Sequence, residues 1–504
     1  MKKNIAFRLA AVVGLLFSLG MAVRPGFEAG LPGAAAKGDT VDLETSRVVI
    51  SSVAEKQNAI WDLAWGPDNW IWFTDQDGKL SRLNPETGEI KLLLQVKGYF
   101  RKRVGLMTFV LHPDWKKFKQ VFVNYSHIDS DSVITAKLVR YNYRNGALTD
   151  PELLMEIPGY QGHNGARLVI SADRKLLWAT GDIVQEKKVL DPAYPNGKVL
   201  RLNLDGSIPA DNPFPGSPVW CMGFRVPQGL VYTAKGNLFV AEHGDATDDE
   251  VNLLTRGGNY GWPYIAGTCD LPKEEAYCRD NHTIFPVKSW TPTIAPAGMD
   301  YYNGNISEWK NALLLTTLKT QSLRVLHLDA SGTQIVSEDI LFSKKFGRLR
   351  DVCVSPAGDV YIGTSNRDWN PPANFPLATD DKIIKIRRIG KVPAKDRKKA
   401  IAGENTTESG ATIYASYCES CHKPDGRGVP GSFPSLVGSA KLSRSKEGFL
   451  SMVLNGGQAA TGEAMPAFTF LSDRQLASLA SYVRQQFAPE LPELKESDFK
   501  AFRK

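Results

Sequence analysis

The sequence predicts an all-β six-bladed β-propeller followed by a small all-α domain, and three observations carry that expectation. First, a pair of short apolar strands joined by a polar turn recurs six times, at irregular spacing, before residue 390. Second, most copies are followed by a further strand, so the repeating unit is a four-stranded antiparallel sheet and not a βαβ element. Third, the chain ends in a different kind of segment, with a C-x-x-C-H motif at 418–422 and an amphipathic final helix.

At the N-terminus, Lys2, Lys3 and Arg8 precede an uncharged apolar run from Leu9 to Val23, the pattern of a secretory signal. The run is short for a membrane span, and the best small-residue cleavage site, Ala34 to Ala36, lies well past it. Residues 1–36 are therefore expected to be a signal peptide or an uncleaved N-terminal anchor. Only the anchor would bring this protein to a membrane.

The first three copies are "WDLAWGPDNWIWFTDQDG" from Trp61, "GLMTFVLHPDWKKFKQVFVNYS" from Gly105 and "ARLVISADRKLLWATGD" from Ala166. The last three are "GLVYTAKGNLFVAEHGD" from Gly229, "GMDYYNGNISEWKNALLLTTLK" from Gly298 and "LRDVCVSPAGDVYIGTSN" from Leu349. Third strands follow in "KLSRLNP", "GKVLRLNL", "SLRVLHLD" and "KIIKIRR". Each copy ends in a loop rich in Asp, Gly, Asn or Lys, and in a propeller such loops converge at one end of the central channel. On the repeats alone, a propeller used only for binding accounts for residues 40–390.

The 504 residues, 42% hydrophobic, leave ample length for large cores. The net charge of +7 is modest, and much of it falls in "KIRRIGKVPAKDRKK" from Lys385 to Lys399. That run lacks interleaved aromatics, so it reads as a solvated linker, placed at 391–404, and not as a nucleic-acid site. Of six cysteines, Cys269 and Cys278 flank a short polar loop that suits a surface disulfide, whereas Cys221 and Cys353 sit in apolar strand-like runs as buried thiols.

The remaining two, Cys418 and Cys421, belong to the C-x-x-C-H motif. They are placed for thioether bonds to a c-type haem, with His422 as proximal iron ligand. The bland alternative is a zinc half-site. Against it stands Met465, at a plausible loop distance for the second axial ligand, with Met452 its competitor. The last helix has Ser472 as N-cap, Gln475 three residues on, and Leu476, Leu479, Ala480 and Val483 on one face. Residues 405–487 therefore resemble a small class I cytochrome c domain, with 488–504 left as a C-terminal tail. Covalent haem is attached outside the cytoplasm, so motif and signal pattern agree on a periplasmic location.

Further motifs carry a second resemblance. "GHNGARLVI" from Gly162, "GKVLRLNLDGSIPADNPF" from Gly197, "GFRVPQGL" from Gly223, "DDEVNLLTRGGNYGWP" from Asp248, "PTIAP" from Pro292, "TTLK" from Thr316 and "GRLRDV" from Gly347 resemble, in order, the soluble PQQ-dependent glucose/sorbosone dehydrogenase family. The resemblance implies that His163 is the base toward the sugar's anomeric hydroxyl and that Asp182 orients it. It implies PQQ contacts from Lys319, Arg348, Arg350 and Arg225, with support from Gln228 and Thr293. Arg348 and Arg350 lie two apart in an extended run and so share one face, as one anionic ligand requires. It also implies calcium beside PQQ, held by backbone at Gly244 and Asp245, and a further calcium site drawing on Asp248, Asp249 and Glu250, which a solvated acidic loop would explain almost as well.

Two positions depart from the family pattern. Arg103 stands where a glutamine is frequent, and could pair with a cofactor carboxylate or narrow the sugar site; Val226 stands where an asparagine is typical. The resemblance implies oxidation of an aldose-type sugar to its lactone. Electrons would pass from reduced PQQ to the fused haem and on to an external acceptor, a soluble or membrane-bound cytochrome among the options. The rival reading is a sugar- or protein-binding propeller without redox cofactor, tethered to an electron-shuttling cytochrome.

Overall fold

A computed structural model describes residues 38–99, 106–269, 272–396, 409–430, 433–439, 446–458, 464–469, 471–489, 492 and 494–503. The expected signal or anchor at 1–36 and the position Arg103 lie outside the described residues.

Each of the six repeats forms the first two strands of a four-stranded antiparallel blade, and the blades make a six-bladed propeller. The innermost strands are Ile60–Trp65, Leu106–Leu111, Gly165–Ile170, Val226–Tyr232, Pro296–Tyr302 and Leu349–Val354. They stand in a ring in which each packs against the next and the sixth returns to the first. Adjacent strand residues point to opposite faces, so one strand feeds two interfaces. Val121 and Val123 pack with Trp72 and Leu80 of the first blade, while Phe122 between them packs with Leu168 and Trp178 of the third.

Closure is supplied by the start of the chain. Ser46–Ala54 pairs with Ile383–Lys391 as an outer strand of the sixth blade, and Asp39–Asp42 adds a fifth strand beyond it. This corrects the reading of Lys385 to Lys391 as solvated linker. Ile383, Ile384 and Ile386 bury into the blade cores, and Lys385, itself buried, pairs with Glu86 at 2.9 Å and Asp359 at 3.3 Å. Charge in the strand is tolerated there because Lys385 and Arg387 share Glu86 and Asp359, while Arg388 donates to the Ser46 hydroxyl. Of the expected linker 391–404, residues 397–404 lie outside the described set.

The channel is laced by one buried ionic network. Arg167 places one guanidinium nitrogen 2.5 Å from Asp62 and 3.1 Å from Asp351, and donates from Nε to the Gln228 carbonyl at 3.0 Å. Asp62 also accepts from Thr108 and the Phe109 amide, and Asp351 from the Leu63 amide. Blades one, two, three, four and six are thereby tied at the axis. Gly298 of the fifth makes room, since a Cβ there would fall 1.6 Å from an Asp351 carboxylate oxygen.

The small domain is helical. Gly410–Tyr417, Lys446–Asn455 and Asp473–Phe487 pack around Ile413, Tyr414, Phe449, Leu450, Leu476 and Leu479. The last of these helices has the expected Ser472–Gln475 capping box and buries Leu476, Leu479, Ala480 and Val483. Residues 488–504 are more than a tail. The helix Glu496–Phe502 seats Phe499 fully in the same core, and Arg503 donates to Asp473 at 2.8 Å. Cys269 and Cys278 are joined as a disulfide, and Cys221 and Cys353 are buried thiols. Among the described residues no helix is long and apolar enough to cross a membrane.

An Arg167→Met substitution would leave two buried carboxylates facing each other without their shared cation. The expected loss is about 3–5 kcal/mol of propeller stability. Chemical denaturation followed by tryptophan fluorescence measures it, and an unchanged midpoint would dismiss the network as a stabilising element.

Candidate active site

At one end of the channel, residues from all six blades surround a cavity of about 710 Å³. Of the residues singled out in the sequence, His163, Arg225, Gln228, Gly244, Asp245, Asp249, Thr293, Lys319, Arg348 and Arg350 line it. Asp182 and Glu250 stand behind its wall, buried. Val226 lines the cavity and brings no polar group there.

His163 precedes the inner strand of the third blade and takes a positive φ of 54°. Gly181 lets this bend sit close to the strand behind it, because a Cβ at 181 would lie 2.0 Å from the His163 carbonyl oxygen. The bend brings His163 Nδ1 to 3.0 Å from Asp182 Oδ1. The second carboxylate oxygen accepts from the Trp262 indole at 2.9 Å, and Oδ1 also accepts from the Val184 amide at 3.0 Å. Burial pushes the Asp182 carboxyl up, but the His163 hydrogen bond and the Arg225 charge outweigh it, leaving the group below its ordinary value. An ionised carboxylate only accepts. The proton between them therefore belongs to Nδ1, and neutral His163 keeps its lone pair on Nε2, the tautomer a general base needs.

Around this dyad the wall is cationic. Arg350 and Arg348 both reach Asp368, whose side chain is wholly buried, Arg348 at 3.4 Å. The shared face expected of these two arginines is thus realised on one carboxylate. Arg350 also lies over the Trp61 ring at 4.2 Å, and burial lowers its pKa to about 10. Lys319 Nζ donates to Thr293 at 2.8 Å, and burial depresses it too. Arg225 donates to the Gly244 carbonyl at 2.7 Å and to Asp245 at 2.8 Å, above the Trp262 ring. The Nε atoms of Arg225 and Arg348 are buried with no protein partner. Four cations thus face the cavity with two carboxylates, Asp245 and Asp368, in contact with them. A compact polyanion fits such a wall.

The calcium candidates are arranged differently. Asp249 is not a solvated loop residue, as the acidic run allowed. It is buried and accepts from the amides of Gly244, Ile294 and Ala295, bracing the loop, with burial raising its pKa to about 6. Glu250 is likewise buried, accepting from the Gly267 amide and Asn252, and burial raises it to about 7. Gly244 and Asp245 are already engaged by Arg225. Among the described residues no group of three or more His, Cys, Asp or Glu gathers as a metal site. In this arrangement the residues do not fit a calcium ion.

The small domain holds a second, mainly apolar cavity of about 210 Å³, lined by Cys418, Cys421, His422, Met465 and Met452 among aromatic and aliphatic side chains. His422 Nδ1 lies 3.0 Å from the Pro434 carbonyl, which fixes the ring and leaves Nε2 for iron. The cavity and its donors fit a haem bound through both cysteines. Both methionines named from the sequence reach it.

Several contributors escaped the sequence reading. His243 lines the cavity, half-buried, with burial and the Arg225 charge lowering its pKa to about 3. It ends the second strand of its repeat, the very position whose loops were expected to converge, and that rule would have found it. Trp262 falls within the motif from Asp248 but was given no role, and Asp368 carries no local pattern; they matter because they hold Asp182 and the two arginines.

Residues 57–370 match the family model for glucose/sorbosone dehydrogenase, and 405–483 match that for cytochrome c oxidase, cbb3-type, subunit III. Quinoprotein glucose dehydrogenase B of Acinetobacter calcoaceticus is 31% identical over 419 residues, 65% of this chain and 86% of that protein. The PQQ-bound aldose sugar dehydrogenase of Streptomyces coelicolor shares the fold with a TM-score of 0.59 and 28% identity, over 70% of this chain and 99% of that one. The fructose dehydrogenase cytochrome subunit of Gluconobacter japonicus is 35% identical over 213 residues, 40% of this chain and 41% of that protein.

Asp182→Asn would present an amide to Nδ1 and favour the wrong tautomer of His163. Turnover should drop by roughly 10²–10⁴-fold, the usual worth of a positioned base, with binding of the cationic wall's ligand nearly unchanged. In the second cavity, Met465→Ala should convert the haem spectrum to one lacking a thioether ligand, while Met452→Ala should not. A spectrum that changes only with Met452→Ala would reverse the ligand assignment.

Proposed function

This chain belongs to the glucose/sorbosone dehydrogenase family, and from that premise we propose that it oxidises an aldose-type sugar at its anomeric carbon to the lactone, using PQQ. Electrons leave through the fused c-type haem to an external acceptor, a cytochrome or another carrier in the periplasm. The observation that carries the reading is a cationic cavity with an oriented His–Asp pair that opens onto the haem-attachment segment of the same chain. Relatives bearing quinoprotein and PQQ-bound sugar dehydrogenase names support it.

When bound, PQQ supplies a two-electron acceptor for the hydride. Lys319, Arg348, Arg350 and Arg225 would hold its carboxylates, with Thr293 and Gln228 beside them. His163 takes the proton of the anomeric hydroxyl at Nε2, and Asp182 stabilises the imidazolium that forms. His243, its pKa lowered by burial and the Arg225 charge, adds a polar wall and donates from Nε2 to the Pro296 carbonyl. No step is drawn through calcium, since Arg225 occupies the carbonyl it would need. Val226 in place of a polar side chain shifts the sugar preference away from that of relatives with asparagine there.

The test uses the haem-loaded protein with added PQQ, without oxygen, against a panel of aldoses, reading the reduced-haem band. Reduction by at least one sugar is expected, slowed on the order of 10²–10⁴-fold in His163→Ala. No reduction with any sugar would favour a recognition module instead, and wild-type rates in His163→Ala would remove the base assignment.

A further inference from the structure

The outer wall of the large cavity is not built by the propeller alone. Glu419, Ser420 and Lys423 of the small domain reach its rim. Much of the propeller's contribution to this junction comes from one short run, Asp368 to Pro371, and every residue in it has a task. Asp368 binds the two cavity arginines. The Trp369 ring lies 5.5 Å from Phe433, which lines the haem cavity. Asn370, nearly buried, uses both ends of its amide: Nδ2 donates to the Ser420 carbonyl at 2.8 Å and Oδ1 accepts from Lys423 Nζ. Pro371 offers its carbonyl to the same ammonium at 2.8 Å.

The partners on the other side are equally placed. Ser420 lies between the two thioether cysteines and Lys423 directly follows the proximal His422. From below, Lys319 of the cavity wall approaches the ring of Tyr417, the residue before Cys418, at 5.9 Å. Lys423 is held here by these two neutral oxygens.

We infer that Asn370 and Lys423 form a latch that holds the haem-attachment loop over the mouth of the propeller cavity and positions the haem to collect electrons from it. The second half of this statement rests on the proposed function; the first does not. Neither residue acts on substrate. They are positioning residues between two redox sites.

The experiment uses the full haem-loaded chain with Asn370→Ala, Lys423→Met and the double variant. Hydrogen–deuterium exchange of backbone amides in 369–377 and 418–424 should speed up at least tenfold, with the core helix Asp473–Phe487 unchanged. With PQQ and sugar added, haem reduction should slow at least tenfold while a small soluble dye is still reduced at the wild-type rate. Wild-type exchange at both loops in the double variant overturns the latch, and so does haem reduction that keeps pace with wild type. Should wild-type protein reduce neither haem nor dye with any sugar, the proposed function falls and the exchange data alone decide the latch.

Discussion

A single buried carboxylate organises the chemistry of this molecule. Asp368 is fully enclosed and accepts from Arg348, Arg350, Ser365, Gln76 and the Trp369 amide. Burying one anion is unfavourable unless cations and donors surround it, and burying two guanidiniums is unfavourable unless they share an anion. Here each condition meets the other. The result is a pair of rigid arginines with net positive charge left over, facing a cavity. Because Asp368 opens the run to Pro371, the same residue also sets where the small domain touches the propeller.

The cavity separates two kinds of electrostatics within a few residues. On one side, cations outnumber the carboxylates touching them, which suits a polyanionic ligand. On the other, Asp182 holds His163 in one tautomer and keeps a lone pair available. Trp262 joins the two sides: its indole donates to Asp182 and its face lies beneath Arg225. The geometry behind both sides comes from the axial Arg167 network, which locks inner strands of five blades and so fixes the loops at their ends.

Much of this was legible in the sequence, for a physical reason. Inner blade strands are buried on both faces, so six blades leave six copies of one short apolar run, and Leu349–Val354 or Ile71–Asp75 could be read directly. Ring closure by Ser46–Ala54 was not legible, because pairing between residues more than 300 positions apart leaves no local mark. For the same reason Lys385 to Lys391 resembled a linker: its charge was visible and its partners Glu86 and Asp359 were not. In the site, His163 and the cations came from motif resemblance, whereas Asp368 and Trp262 act through contacts that only folding creates. The Ser472 to Val483 helix was readable in full since its cap and its stripe are both local.

The junction between the domains answers a problem that charge alone cannot. The propeller mouth is cationic, and the small domain brings both Lys423 and Glu419 to it, so electrostatic steering of the kind that brings separate redox proteins together has little to act on here. A covalent tether removes the need for steering by raising the local concentration of the partner, but it leaves orientation free. Orientation here is given by hydrogen bonds to neutral acceptors, the Asn370 amide and the Pro371 carbonyl, together with the Trp369–Phe433 contact. Bonds of that kind are nearly insensitive to salt, unlike ion pairs at an exposed surface. Filling the cavity with an anionic ligand would also ease the repulsion between Arg348 and Lys423. Docking and the binding of such an anion would therefore favour one another.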